Sequence, residues 1–293
     1  MKIAFAASLL AAVALASPAL AVPTAWTQPL APFRVIDNVY YVGSAGISAW
    51  IIKTPTGLIL LDAGMPEYAA TVEANILTLG FKLSDVKILL NSHAHFDHSG
   101  GLARIKADTG GRLIASAGDR LALERGIYPG WEQDHSFDAP PVKVDRIVAD
   151  GGTVALGGVK LTAMITPGHS AGCTNYLMTV RDQGAPHTAF FFCSASVAAN
   201  RLVPDSQNLG PQYPGIVADY RRTFARLKTV KTDVFLAPHA EFFDLAEKRA
   251  RLGKAGPNPF IVPGEMQKLV ADMEAGFVKS LAEQTSRART AKP

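Results

Sequence analysis

Five residues that read as a buried strand, Val86-Lys87-Ile88-Leu89-Leu90, run straight into Asn91-Ser92-His93-Ala94-His95-Phe96-Asp97-His98-Ser99-Gly100-Gly101. Ser99-Gly100-Gly101-Leu102 then reads as a turn into a helix. Such a chain must fold so that this polar knot sits at a strand's carboxyl end, where α/β proteins keep their chemistry. His93 and His95 are two apart, so in an extended or tightly turned backbone both rings project to one side and can share an ion. Asp97 and His98 follow at once and can face a second ion. A satisfied surface loop is the bland reading, but three of the chain's seven histidines fall in this short stretch, which favours a metal site.

The flanks set the architecture. Strand-like runs at 38–42, 49–52 and 57–61 alternate with Gly turns and predict an antiparallel meander. Asp62-Ala63-Gly64 ends the third strand, and residues 67–79 carry helical spacing through Tyr68, Val72, Ile76 and Leu79. The plan repeats with a strand at 86–90, a helix at 101–108, a strand at 113–116 and a helix at 117–125. Residues 126–141, rich in Gly, Pro, Asp and aromatics, read as a long surface loop. Strands resume at 146–148, 153–156 and 159–165, and runs at 174–180 and 188–192 flank a hairpin signature, Arg181-Asp182-Gln183-Gly184-Ala185-Pro186. Ile216, Tyr220, Phe224 and Leu227 mark a helix, 234–236 a strand, and 266–281 a terminal amphipathic helix. Two sheet-rich halves, each ending in helices, predict an α/β (α+β) domain of two sheets packed face to face with helices outside.

The first residues point to an exported protein. Lys2, an apolar stretch from Ala4 to Ala16, and Ala19-Leu20-Ala21 before Val22 form a secretory signal peptide over 1–21, with the domain at 22–293. The apolar stretch is too short to anchor in a bilayer. A mature protein soluble in the periplasm or outside the cell is therefore expected, with no membrane contact, and a monomer is the expectation for its assembly. Net charge is +4 with Lys and Arg scattered, which does not indicate a nucleic-acid groove. Cys173 and Cys193 are the two cysteines; they read as small buried residues or as one disulfide, and the sequence alone leaves both open.

Two more histidines follow strands. His169 lies in Pro167-Gly168-His169-Ser170-Ala171-Gly172, and His239 in Leu236-Ala237-Pro238-His239-Ala240. Taken singly, each reads as a core or surface histidine. With His93, His95, Asp97 and His98 they make six donors, enough for two ions with three protein ligands each and an open position at each ion, the pattern of a catalytic site. Imidazoles with one carboxylate suit zinc, with iron or manganese also compatible by ligand type.

This spacing, His93-x-His95-x-Asp97-His98, then Pro-Gly-His169, then His239, resembles the metallo-β-lactamase superfamily across essentially the whole mature chain. The resemblance implies a four-layer αββα sandwich and a dinuclear site. Leu61-Asp62-Ala63-Gly64 matches the family's acidic turn, where Asp62 has a structural role; a helix-capping role is the plainer reading. Glyoxalase II, lactonases and RNA-processing members carry a bridging Asp where this chain reads Phe191-Phe192-Cys193-Ser194-Ala195-Ser196, with no carboxylate. Members of the first subclass of class B β-lactamases place a Cys ligand at that strand end and generally lack His98. With His98 present and Ser at the bridging position, the chain is most similar to the third subclass, as are stretches 46–52, 140–145 and 200–203.

That resemblance implies His93, His95 and His169 on one Zn2+, and Asp97, His98 and His239 on a second. Ser194 and Ser196 fall where relatives contact the substrate carboxylate, although Ser194 also reads as an ordinary strand-end residue. Tyr128 and Trp131 on the long loop read equally as substrate walls or as packing. The implied activity is hydrolysis of the β-lactam amide of penicillins, cephalosporins or carbapenems by zinc-bound hydroxide oriented by Asp97, conferring antibiotic resistance. A related dinuclear hydrolase of a lactone or thioester, or a non-catalytic metal-binding periplasmic module, are the competing expectations.

Overall fold

Short runs of aliphatic and aromatic residues set between Gly and Asp turns become strands, as their composition predicts. The computed structural model describes residues 22–129, 131–132, 135–205 and 209–290; the expected signal peptide at 1–21 lies outside the described residues. The first sheet runs in spatial order β1 (Phe33–Ile36), β2 (Val39–Tyr41), β3 (Trp50–Thr54), β4 (Gly57–Leu61), β5 (Val86–Leu90), β6 (Arg112–Ala115) and β7 (Arg146–Ile147). Strands β1 to β4 pair antiparallel, and β4 to β7 pair parallel. Parallel neighbours need crossovers. Helices α1 (Ala69–Thr78), α2 (Phe96–Ser99), α3 (Leu102–Thr109) and α4 (Ala117–Arg125) supply them.

The second sheet contains β8 (Thr153–Leu156), β9 (Val159–Ile165), β10 (Thr174–Asp182), β11 (Ala185–Phe191) and β12 (Val234–Leu236), in the order β12-β11-β10-β9-β8. Its pairs are antiparallel except β11 with β12, which are parallel and joined through α5 (Ile216–Leu227). Helices α6 (Leu245–Arg251) and α7 (Glu265–Thr290) complete the chain. No described helix is long and apolar enough to cross a membrane.

Alternation along the strands builds two layers of core from one sheet. Ile59 and Leu61 of β4, with Ile88 and Leu90 of β5, join the core between the sheets. Leu58, Leu60 and Leu89 face the other way and meet Val72, Ile76, Leu102 and Ile105 of the covering helices. A strand buried on both faces reads as a continuous apolar run, which is why β5 looked so plain in sequence. Across the sandwich Phe191 meets Trp50 with centroids 5.9 Å apart. Tyr220 of α5 stacks on Phe277 of α7 at 5.0 Å. Burying each such ring contributes about 2–3 kcal/mol. The result is the expected sandwich of two sheets flanked by helices.

Three local differences from the sequence reading have physical reasons, and the alternative left open at the two cysteines is resolved. Phe96–Ser99, expected as loop, is a helical turn, with the His98 and Ser99 amides donating to His95 O at 3.0 and 2.9 Å. The β10–β11 turn is only Gln183-Gly184, both at positive φ (47° and 87°), so both strands extend further into it than the sequence suggested. Helix α7 continues to Thr290 because Gln284 is used: it accepts from Leu202 N at 2.7 Å and donates to Asn200 O at 3.0 Å. Cys173 and Cys193 form a disulfide with Cα atoms 5.8 Å apart, joining the start of β10 to the end of β11.

Candidate metal centre

Strands β9, β11 and β12 run in one direction, so their carboxyl ends share an edge, and the end of β5 meets that edge from the other sheet. The two sheets are tied there by Thr174 N donating to Ser92 O, and Ser48 N to Pro238 O, both at 2.8 Å. Asp62, at the end of β4 with φ of 59°, holds the ligand segment from behind. One carboxylate oxygen accepts from Ser92 N at 2.7 Å and from Asn91 Nδ2 at 3.2 Å, while Ala63 N donates to His98 O at 2.9 Å. Burial pushes the Asp62 pKa up to about 6 against the pull of His98 and these donors. Asp62 therefore acts on the backbone of the segment. The glycines have a steric reason: a Cβ at Gly100 would lie 2.3 Å from Pro66 Cδ, and one at Gly101 2.5 Å from Ala63 O.

All six donors expected from sequence converge. Ligand atoms of His93, His95 and His169 lie within 4.8 Å of one another, as do those of His93, Asp97 and His98. His93 Nε2 is 3.1 Å from His169 Nε2, and His98 Nε2 is 3.3 Å from His239 Nε2. Asp97 Oδ2 lies 3.1 Å from His98 Nε2 and 3.5 Å from His239 Nε2, so His239 joins the Asp97–His98 side while His93 stands between the two groups. His169 Nδ1 donates to Ser196 O at 2.8 Å, which leaves its Nε2 lone pair free to face the cluster.

Burial, then the neighbouring imidazoles, hold His93 and His95 well below the ordinary histidine range. Burial likewise takes His169 down to about 4 and His239 to about 3. Burial opposes ionisation of Asp97, but His98, His239 and His95 outweigh it and keep the carboxyl well below its usual range. For His98 burial is again opposed, by Asp97, and the balance is upward. His98 Nδ1 and His239 Nδ1 are buried with no hydrogen-bond partner among the described residues. Four imidazoles held neutral, those of His93, His95, His169 and His239, together with His98 and an ionised carboxylate, make a donor set for a divalent ion of the zinc type. The centre is a metal-binding one.

A cavity of about 400 Å³ opens onto the cluster, lined by His95, Asp97, His169, His239 and Ser196 with Trp26, Phe96, Tyr128, Phe137 and Phe242 among its walls. Tyr128 lies flat on His95, centroids 4.3 Å apart and 14° between planes. Ser194 is buried behind Ser196, its Oγ accepting from Ser196 N at 3.2 Å. Trp131 is elsewhere: its ring packs on Phe137 and under the Arg201 guanidinium and lines a neighbouring cavity. Cys193 is spent in the disulfide.

The sequence reading missed three contributors. Trp26 packs 5.3 Å from His239, and nothing in the short segment around it signals that approach. Asn200 donates to His169 O at 2.9 Å and to the Tyr220 hydroxyl at 3.2 Å, and was visible only as part of a family-like stretch. Asp119, in the first turn of α4, looks in sequence like an ordinary helix-start acid.

Comparison with known proteins agrees with this geometry. Residues 42–178 match the family model of the metallo-beta-lactamase superfamily. The structure of BJP-1, a subclass B3 metallo-beta-lactamase of Bradyrhizobium japonicum, superposes with a TM-score of 0.86 at 49% identity, covering 90% of this chain and 98% of that one. FEZ-1 metallo-beta-lactamase from Legionella gormanii superposes at 0.83 with 35% identity, covering 88% and 98%. Hydroxyacylglutathione hydrolase of Rhodospirillum rubrum is 35% identical over 111 residues, 38% of this chain and 35% of that protein. The chain spans about half the length, or less, of the curated relatives it matches. Whole-length likeness to subclass B3 structures, with the His-rich centre in place, shows that the chain belongs to the metallo-beta-lactamase superfamily.

Proposed function

We propose that the chain is a dizinc β-lactamase that opens the four-membered ring of penicillins, cephalosporins or carbapenems. The observation that carries this reading is the end of β11: where a bridging carboxylate would mark a thioester or lactone hydrolase, the structure has a disulfide-bonded Cys193 followed by Ser194 and Ser196. Likeness to subclass B3 structures over nearly their whole length supports it, whereas the hydroxyacylglutathione hydrolase match covers 35% of that protein.

In this reading His93, His95 and His169 hold one zinc, and Asp97, His98 and His239 the other. Bound zinc polarises a carbonyl oxygen and lowers the pKa of a coordinated water from 15.7 to about 7. Asp97, kept ionised among the imidazoles, accepts a hydrogen bond from the attacking water and orients it toward the lactam carbon. The Ser196 hydroxyl, on the cavity wall, donates to the substrate carboxylate, and Ser194 fixes Ser196 from behind. Tyr128 shields one face of His95 and forms an apolar wall with Phe137 and Phe242. Trp131 has no part in this wall. Export to the periplasm, with cleavage before Val22, belongs to the same reading; N-terminal sequencing of secreted protein checks it.

The deciding experiment is turnover of a chromogenic cephalosporin by purified protein with and without chelator, beside S-D-lactoylglutathione as the competing thioester. Chelator-sensitive cephalosporin hydrolysis is expected, with little thioester turnover. The reverse preference would move the chain to the thioester hydrolases.

A further inference from the structure

Asp119 sits in the first turn of α4, yet among the described residues its carboxylate bonds Ala94, Ser170 and Gly172 and not its own helix. It is buried and reaches two other segments. Ala94 N donates to Oδ2 at 3.1 Å and Ser170 Oγ to the same oxygen at 2.8 Å, while Gly172 N donates to Oδ1 at 2.8 Å. Ala94 is the residue between His93 and His95, and Ser170 follows His169. One carboxylate therefore bonds both stretches of chain that supply the His93–His95–His169 group.

The surroundings are built for that contact. Ser116 Oγ donates to Gly172 O at 2.7 Å. A Cβ at Gly118 would lie 2.4 Å from Ala171 O, and one at Gly172 2.4 Å from Asp119 N, so the start of α4 and the 170–172 segment meet backbone to backbone. Neither glycine tolerates a side chain without separating the two. A helix-start acid serving only its own helix needs no such approach.

We propose that Asp119 is a positioning residue for the first ion: its carboxylate sets the separation between the His93–His95 segment and His169. This rests on the reading of those three histidines as ligands of one ion. Outer-shell partners of this kind typically govern affinity by about 10–100-fold. In Asp119→Asn the shape is kept, but the amide nitrogen must face at least one of the three donors, so the two segments move apart.

The test compares wild type, Asp119→Asn and Ser170→Ala. Three readouts are taken: zinc affinity by competition with a chromophoric chelator, the visible spectrum of the Co2+-loaded protein, and melting of the metal-free protein. Asp119→Asn is expected to bind its first zinc about 10–100-fold more weakly, with a changed Co2+ spectrum. Ser170→Ala, which removes one of three donors, is expected to weaken it by a few-fold with melting unchanged. Wild-type affinity and spectrum in Asp119→Asn would overturn the proposal even if melting falls, since the residue would then only support the fold. If Asp119→Asn does not fold, Ser170→Ala decides, and wild-type affinity there overturns the proposal. A wild-type protein that binds no zinc would instead remove the ligand assignment itself.

Discussion

Replacing Cys173 and Cys193 together with alanine separates two roles that this strand end can have in the superfamily, zinc ligand or covalent brace. The bond closes a loop of 20 residues. Loop-closure entropy for that length is about 11 cal/mol/K, or about 3 kcal/mol at 25 °C. Unfolding entropy of about 2.1 cal/mol/K per residue gives about 0.6 kcal/mol/K for a domain of this size, so Tm should drop by about 5–6 °C. Because both sulfurs are fully buried and bonded to each other, zinc content and turnover at 25 °C should stay at wild-type levels. The assays are calorimetric melting and metal analysis of purified protein. Reductant should lower the wild-type Tm by a similar amount and leave the double variant unmoved. Loss of one zinc in the double variant would refute the reasoning and place Cys193 among the ligands, and a Tm shift under about 1 °C would refute the loop-entropy magnitude.

Three further outcomes are expected. His98→Ala should keep the first zinc but weaken the second, which retains Asp97 and His239; activity should fall by about 100-fold or more at low zinc and recover partly on zinc addition, followed by metal titration. Chelator should abolish β-lactam turnover while clavulanate has no effect, and a trapped acyl adduct in the mass spectrum would contradict this. Asp145 tests pH dependence away from the centre. Burial alone would raise its pKa, but Lys106 at 2.6 Å and Leu113 N at 2.8 Å hold it below the usual value. Its folded pKa is depressed, so its contribution is present above about pH 3.9 and lost as pH falls through the folded value. The pair is partly exposed, worth about 1 kcal/mol or less. The Tm difference between wild type and Asp145→Asn, about 1–2 °C at pH 7, should therefore close toward pH 3 in thermal melts.

The donors of the centre were legible in sequence because each follows an apolar strand, and strand ends in this sandwich converge by topology. His169 and His239 illustrate it: 70 residues apart in the chain, they share an edge because β9 and β12 run the same way. What supports the donors was not legible, because it depends on which segments pass close behind the strands. Asp119 reaches Ala94 and Gly172 only after α4 docks on the loop that follows β9, and no periodicity encodes that approach. Trp131, open in sequence between wall and packing, shows the complementary case. Its loop does border the cavity, through Tyr128 and Phe137, but the indole packs on Phe137 beneath Arg201, outside that cavity. The same logic places specificity in this molecule. The ligand shell depends on sheet topology and on buried hydrogen bonds at Asp62, Asp119 and Asn200, whereas the walls come from the N-terminal turn at Trp26 and from Tyr128 and Phe137, which do not supply donors. Substitutions at the walls should thus alter KM among β-lactams with little change in zinc content, and those behind the donors should alter zinc binding first.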